Sequence, residues 1–238
     1  MPTLPKKDHP IIITESRKVH RITMKRWFSS LLEAFEIDRG GLYTLKRLFV
    51  NPGKLFLDYL GAQRFHFIPP FRLLIVSTAI IIITFSFLGQ FDAFFEGFND
   101  QVRDQPKIDS DKLTFLQDIF LTYFNLFLWI YLPAAALMTW AFNTKKRFNF
   151  PEHLVLHTYL LTLSNLLSIV LLIGTYLQSE VLLIIYILVM FFYYVQTYHF
   201  VFEKGWLRSI IEMSIILIIS FSLYFILLVL IFAGILFI

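Results

Sequence analysis

Residues 213–238 read MSIILIISFSLYFILLVLIFAGILFI, 26 residues without an Asp, Glu, Lys or Arg. A helix needs about 20 apolar residues to cross about 30 Å of hydrocarbon. In lipid every backbone polar group must pair within its own segment, so such a run is read as a helix. Four more charge-free runs precede it, at 73–89, 119–144, 154–179 and 181–202. The first is the shortest, and Phe71 with a snorkelling Arg72 can extend it. The third and fourth are separated only near Gln178 and Glu180, which predicts a tight helical hairpin. A β-barrel would need period-two alternation, and residues 80–83 (IIII) show none. The expected fold is therefore all-α, a polytopic helical membrane protein with five transmembrane helices.

Composition agrees. The 238 residues are 57% hydrophobic and 16% charged, against about 45–50% and about 25% in soluble domains. The surplus apolar residues, 28 Phe among them, suit lipid-facing surfaces and interfacial belts. The absence of cysteine removes disulfides, thiolate metal sites and Cys nucleophiles together. The first long apolar run begins at Leu73, beyond the usual signal peptide of about 15–30 residues, so the first span is expected to be retained.

Loop charges set the expected orientation, since Lys and Arg favour the cytoplasmic side. Residues 1–72 hold 13 Lys/Arg against 6 Asp/Glu, whereas 90–118 hold 3 against 7. Lys145, Lys146 and Arg147 mark the next inner loop, and Lys204 and Arg208 the last. This pattern places a basic amino-terminal region, residues 1–70, in the cytoplasm and Ile238 outside. The bundle then occupies 71–238.

The region before the first span has helical pattern. In residues 22–37 (ITMKRWFSSLLEAFEI), Met24, Trp27, Phe28, Leu31, Leu32 and Phe35 share one face. Gly40-Gly41 is read as its stop. A second short helix, 42–50, ends at Asn51-Pro52-Gly53, and a third, 54–62, carries Leu55, Phe56, Tyr59 and Leu60 on one side. Pro70 suits the first turn of the first span. Two readings are open: amphipathic helices on the inner leaflet, or a cap packed on the cytoplasmic ends of the bundle. In the first, Lys25, Arg26, Trp27, Arg39, Lys46, Arg47, Lys54 and Arg64 would bind anionic lipid. Beyond the first span, Phe91, Phe94, Phe95 and Phe98 interleave with Asp92 and Glu96 as in a short interfacial helix, and 99–112 reads as a solvated loop.

Residues Arg21-Ile22-Thr23 and 35–64 (FEIDRGGLYTLKRLFVNPGKLFLDYLGAQR) resemble the bacterial domain-of-unknown-function family 3667. The matching elements are Asp38-Arg39-Gly40, Thr44-Leu45, Pro52-Gly53, Tyr59-Leu60 and Arg64, with Gly61-Ala62-Gln63 shifting the last glycine. Glu152-His153-Leu154-Val155 is a further similar feature. The resemblance implies a bacterial inner-membrane protein and supplies no reaction. Many relatives carry a Cys-pair zinc ribbon, which a chain without cysteine cannot form.

Catalytic signatures are missing: there is no P-loop, nucleophile elbow, H-E-x-x-H or dinucleotide fingerprint. One constellation stands out. His153 and His157 lie i, i+4 on one face of the third span's inner start. His157, His199 and Glu212 each fall about 6 Å inside the same interface at 1.5 Å rise per residue. Imidazoles with a carboxylate suit Zn, Fe or Mn, so these three are the catalytic candidates and, with His153, the metal candidates. The competing reading is a structural polar cluster, with Glu212 partnered by Lys204, Arg208 or His199. No metal or other cofactor is expected. Asn125, Asn165 and Gln196 are the sparse mid-membrane amides, more often helix bridges than substrate ligands. Pro133 predicts a kink, and Ala134-Ala135-Ala136 a close helix approach.

The leading functional expectation is a non-enzymatic accessory, scaffold or interaction subunit of the bacterial envelope. The alternatives are an oligomeric transporter of lipid or small solute, and a membrane-embedded metal- or His/Glu-dependent enzyme acting on lipid. Expected partners are membrane lipids and either other proteins or further copies of the chain. Nucleic acid is excluded, because topology and anionic lipid account for the basic amino-terminal face.

Overall fold

The computed structural model describes residues 39–103, 110–144, 148–176 and 180–236. The expected helix at 22–37, with Lys25, Arg26 and Trp27, lies outside them. Among the described residues every regular element is helical. They are α1 (Arg39–Val50), α2 (Pro52–Leu60), a 3-10 turn (Ala62–His66), α3 (Pro70–Phe87), α4 (Gln90–Arg103), α5 (Ser110–Thr122), α6 (Phe124–Phe142), α7 (Phe150–Tyr176), α8 (Glu180–Phe202) and α9 (Trp206–Leu236).

Four helical stretches among the described residues are long and apolar enough to cross a membrane: Gln63–Phe87, Phe124–Phe142, Val181–Phe202 and Trp206–Gly234. The last has a mean hydropathy of 3.1 with only 11% of its apolar window buried. Outward-facing Ile218, Phe225, Val229 and Leu230 on α9 have no water-stable reason to be exposed. The chain is a helical membrane protein.

Helix α7, apolar all round, is the axis of the bundle. It packs against α3, α6 and α8, and its first turns also meet α1 and α2. Tyr159, Leu160 and Leu163 of α7 are fully buried. Ala134, Ala135 and Ala136 are buried on α6, which lies against both α7 and α9, so the small residues do allow close approach.

Three expectations are corrected. The run 119–144 is two helices, not one: the chain breaks at Tyr123, and α6 begins at Phe124. Next to it, the Phe120 ring packs on Phe94 and Phe95 of α4 and on Phe124 and Phe127 of α6. The loop expected at 99–112 is helical at both ends, to Arg103 and from Ser110. Gly40 and Gly41 lie inside α1, and the helix at 22–37 that they were expected to end is outside the described residues. The last helix also starts earlier than its charge-free run, at Trp206, and takes in Arg208 and Glu212.

The amino-terminal helices form a hairpin with a single residue between them. Asn51 caps α2 by accepting from the Lys54 amide at 2.9 Å, and Pro52 occupies the first turn. At Gly53 the reason for glycine is contact, not turn geometry. An added Cβ would stand 3.1 Å from the Phe200 ring and 3.4 Å from the Thr197 carbonyl of α8. The apolar stripe of α2 (Leu55, Phe56, Leu60) is turned into the bundle, so α2 is a packed cap. Helix α1 is divided: Thr44 and Leu48 are buried, while Leu42 and Val50 remain 72% and 65% exposed.

Candidate functional site

Helix α7 starts with a reciprocal cap. Asn149 Oδ1 accepts from the Glu152 amide at 3.0 Å, and Glu152 Oε2 accepts from the Asn149 amide at 2.7 Å. This fixes the first turn, and His153 and His157, four residues apart, both become buried against α6. They meet one atom. His153 Nδ1 lies 3.0 Å and His157 Nε2 3.1 Å from the hydroxyl oxygen of Thr139. That hydroxyl donates its single proton back to the helix, to the carbonyl of Ala135 at 3.0 Å or Ala136 at 3.1 Å. With the proton so placed, both imidazoles donate to Thr139, His153 through Nδ1 and His157 through Nε2. The remaining nitrogens, His153 Nε2 and His157 Nδ1, are buried and have no hydrogen-bond partner among the described residues.

From Thr139 the network continues to α8 and α9. Asn143 Nδ2 donates to the Thr139 carbonyl at 2.7 Å and to the Tyr198 hydroxyl at 3.1 Å. The Tyr198 hydroxyl donates to Glu212 Oε2 at 2.6 Å. Lys204 Nζ donates to the Tyr198 hydroxyl at 2.8 Å and to the same carboxylate oxygen. Arg208 Nε donates to Glu212 Oε1 at 2.6 Å. The Lys204 and Glu212 side chains are only 7% and 15% exposed, whereas Arg208 is 69% exposed. Lys204 is drawn under the bundle by the turn between α8 and α9, where Glu203 takes a φ of 52°. Its ammonium also lies 4.8 Å from the centre of the Tyr198 ring.

The four candidate residues are therefore not one ligand set. His199 is turned away: its Nδ1 meets the Lys204 carbonyl, and its ring stacks on Trp206 at 4.5 Å. Glu212 is held by Lys204, Arg208 and Tyr198, the first two of which sequence logic names. Among the described residues no group of three or more His, Cys, Asp or Glu side chains is placed to hold a metal ion. Thr139, Asn143 and Tyr198, which complete the network, carry no signal in the sequence beyond being polar in an apolar run. The capping role of Glu152 was legible as Asn-x-x-Glu before a helix.

The amino-terminal motif is a set of clasps. Thr44 donates to the Gly40 carbonyl at 2.6 Å and accepts from the Ile68 amide at 3.0 Å, joining α1 to the entry of α3. Tyr159 of α7 donates to the Ile68 carbonyl at 3.1 Å. Tyr193 of α8 donates to the Phe49 carbonyl at 2.7 Å. The proposed lipid-binding bases divide. Lys46 and Lys54 are exposed. Arg47 bonds the Tyr43 hydroxyl at 3.1 and 2.9 Å, and Arg64 bonds the Tyr59 carbonyl at 3.3 Å with its guanidinium over the Tyr59 ring. Burial raises the Tyr59 phenol above its usual range, and the Arg64 charge opposes that shift. Arg39 stands at the described start of α1.

No curated protein and no solved structure matches the chain. One family profile does, and it covers α1, α2 and most of α3, the hairpin and its clasps. Residues 38–82 match the family described as Protein of unknown function (DUF3667), which is the family that the amino-terminal motif resembles.

Proposed function

We propose that the protein is a non-enzymatic accessory, scaffold or interaction subunit of the bacterial inner membrane. In this reading it crosses five times, with α7 as the additional span, its amino terminus in the cytoplasm and Ile238 in the periplasm. The observation that supports it is how the ionisable side chains at the hairpin end are used. His153, His157, Lys204 and Glu212 each hold another helix or turn of the same chain. Deeper in the bundle, Asn165 of α7 bonds Ser77 and Thr78 of α3 at 3.3 and 3.1 Å, again joining helices. Transport or hydrolysis would need such groups to face a pathway or a substrate.

The test is purification in mild detergent followed by native mass spectrometry, metal analysis and flux assays in vesicles. The expected result is a defined complex with itself or a protein partner, without stoichiometric metal and without flux. Bound metal at one per chain would favour the enzyme reading, and solute or lipid flux the transporter reading. Orientation is checked with a reporter active only in the cytoplasm. It should work when fused after Arg147 and fail after Asp104 or Ile238; activity after Asp104 would reverse the topology.

A further inference from the structure

A groove of about 430 Å³ opens between the end of α1 and the outer side of α8. Its walls are Phe49 and Val50 on one side and Leu188, Phe192 and Gln196 on the other, with Tyr193 at its floor. The bond from the Tyr193 hydroxyl to the Phe49 carbonyl ties the two walls together. We propose that this groove holds one acyl chain of an anionic glycerophospholipid from the leaflet beside the hairpin, with Lys46 against the headgroup phosphate. The inference rests on the membrane reading above and adds a specific site to it.

Three observations carry the occupant. The first is chemistry of the walls. Val50, Leu188 and Phe192 are exposed, and they continue the outward apolar face of α8 formed by Ile184 and Ile187. A groove in that position is filled from hydrocarbon, not from water. The second is length: Leu188 to Gln196 spans about 12 Å along the helix axis, a stretch suited to an extended chain. The third is charge. Lys46 precedes Phe49 by three residues and Val50 by four, so it stands on the groove's face of α1. It is exposed, whereas the neighbouring Arg47 is engaged with Tyr43. At the other wall the Gln196 amide supplies a donor suited to an ester carbonyl. An apolar trough with Lys46 beyond one wall and the Gln196 amide in the other matches the acyl chain, phosphate and ester of one phospholipid.

Trp206 stacks on Phe192 with ring centres 6.4 Å apart, which makes it a reporter for the groove. The full chain, with Trp27, Trp129 and Trp140 changed to Phe, is placed in phosphatidylcholine nanodiscs. The discs are doped with phosphatidylglycerol or phosphatidylcholine bearing brominated acyl chains. Brominated phosphatidylglycerol should half-quench Trp206 at an about fivefold lower mole fraction than brominated phosphatidylcholine, as one lysine near a headgroup implies. Lys46→Glu should abolish that preference, and Val50→Phe, which fills the trough, should weaken quenching by both lipids while far-UV helicity is unchanged. Equal quenching by the two lipids, or an undiminished preference in Lys46→Glu, would overturn the site while leaving the membrane reading intact. A chain that stays helical and monodisperse without detergent or lipid would overturn both.

Discussion

The two ends of the bundle are held by different chemistry. At the hairpin end, hydrogen bonds run from His157 through Thr139, Asn143 and Tyr198 to Glu212 and Lys204, crossing α6, α7, α8 and α9. At the opposite end, α4, α5, α6 and α9 meet through phenylalanine rings. Phe120 alone touches Phe94, Phe95, Phe124 and Phe127 at 5.3–5.7 Å between ring centres, and Phe127 stacks on Phe232. Hydrogen bonds fix helix rotation and register, because a donor displaced by one residue loses its acceptor. Ring packing tolerates sliding, since offset and edge contacts differ little in energy. The hairpin end is thus the specified end, and the ring end the adaptable one.

The largest effect should come from Glu212→Ala. It removes the carboxylate that neutralises the buried Lys204 ammonium, and removing one partner of a buried pair costs about 3–5 kcal/mol. Unfolding in mixed micelles, followed by far-UV circular dichroism, measures the loss. Glu212→Gln combined with Lys204→Met should recover most of it, because the pair is then replaced instead of broken. Arg208→Ala should change little, its guanidinium being exposed to solvent. If the Glu212 and Arg208 variants lost stability equally, the buried pair would not be what pins this end.

Thr139→Val comes next. It leaves two buried imidazole N–H groups without an acceptor, at a cost of about 2–3 kcal/mol. Thr139→Ser keeps the hydroxyl and should retain most of the stability. A Val variant as stable as the wild type would mean that water already serves both imidazoles. Phe120→Ala should cost less, about 1–2 kcal/mol, from the lost ring contacts. Hydrogen exchange should then quicken in α4 and α5 and stay unchanged in the first turns of α7. Faster exchange at both ends would show that they are coupled and erase the distinction between them.

How far this division was legible depends on the residue. The spans Val181–Phe202 and Gln63–Phe87 contain the apolar runs read at 181–202 and, for the most part, at 73–89, since hydrocarbon thickness translates directly into residue number. The interruption at Tyr123 was not legible, because nothing in a continuous apolar run marks it. The pairing of Glu212 with Lys204 and Arg208 was accessible from i, i+4 spacing and from the short turn. The matched depths of His157, His199 and Glu212 rest on distance along each helix, which is silent on rotation. Rotation sends His199 to the Lys204 carbonyl and His157 to Thr139. Tyr198 and Asn143 were invisible for the same reason: their partners lie 14 and 55 residues apart in sequence, Glu212 for the one and Tyr198 for the other.

The smallest effect tests whether the turn that presents Lys204 is strained for a purpose. Glu203 holds φ at 52°, in the left-handed region where a side chain is disfavoured. Glycine adopts that conformation freely, so Glu203→Gly should remove local strain, offset in part by a more flexible unfolded chain. The net expectation is a gain of up to about 1 kcal/mol in the same micelle assay. Because the Lys204–Glu212 pair holds this backbone shape, the gain should vanish when Glu203→Gly is placed in the Glu212→Gln, Lys204→Met background. A gain of equal size in both backgrounds would make the turn an independent cap, and the specified end would then owe its order to the hydrogen-bonded network alone.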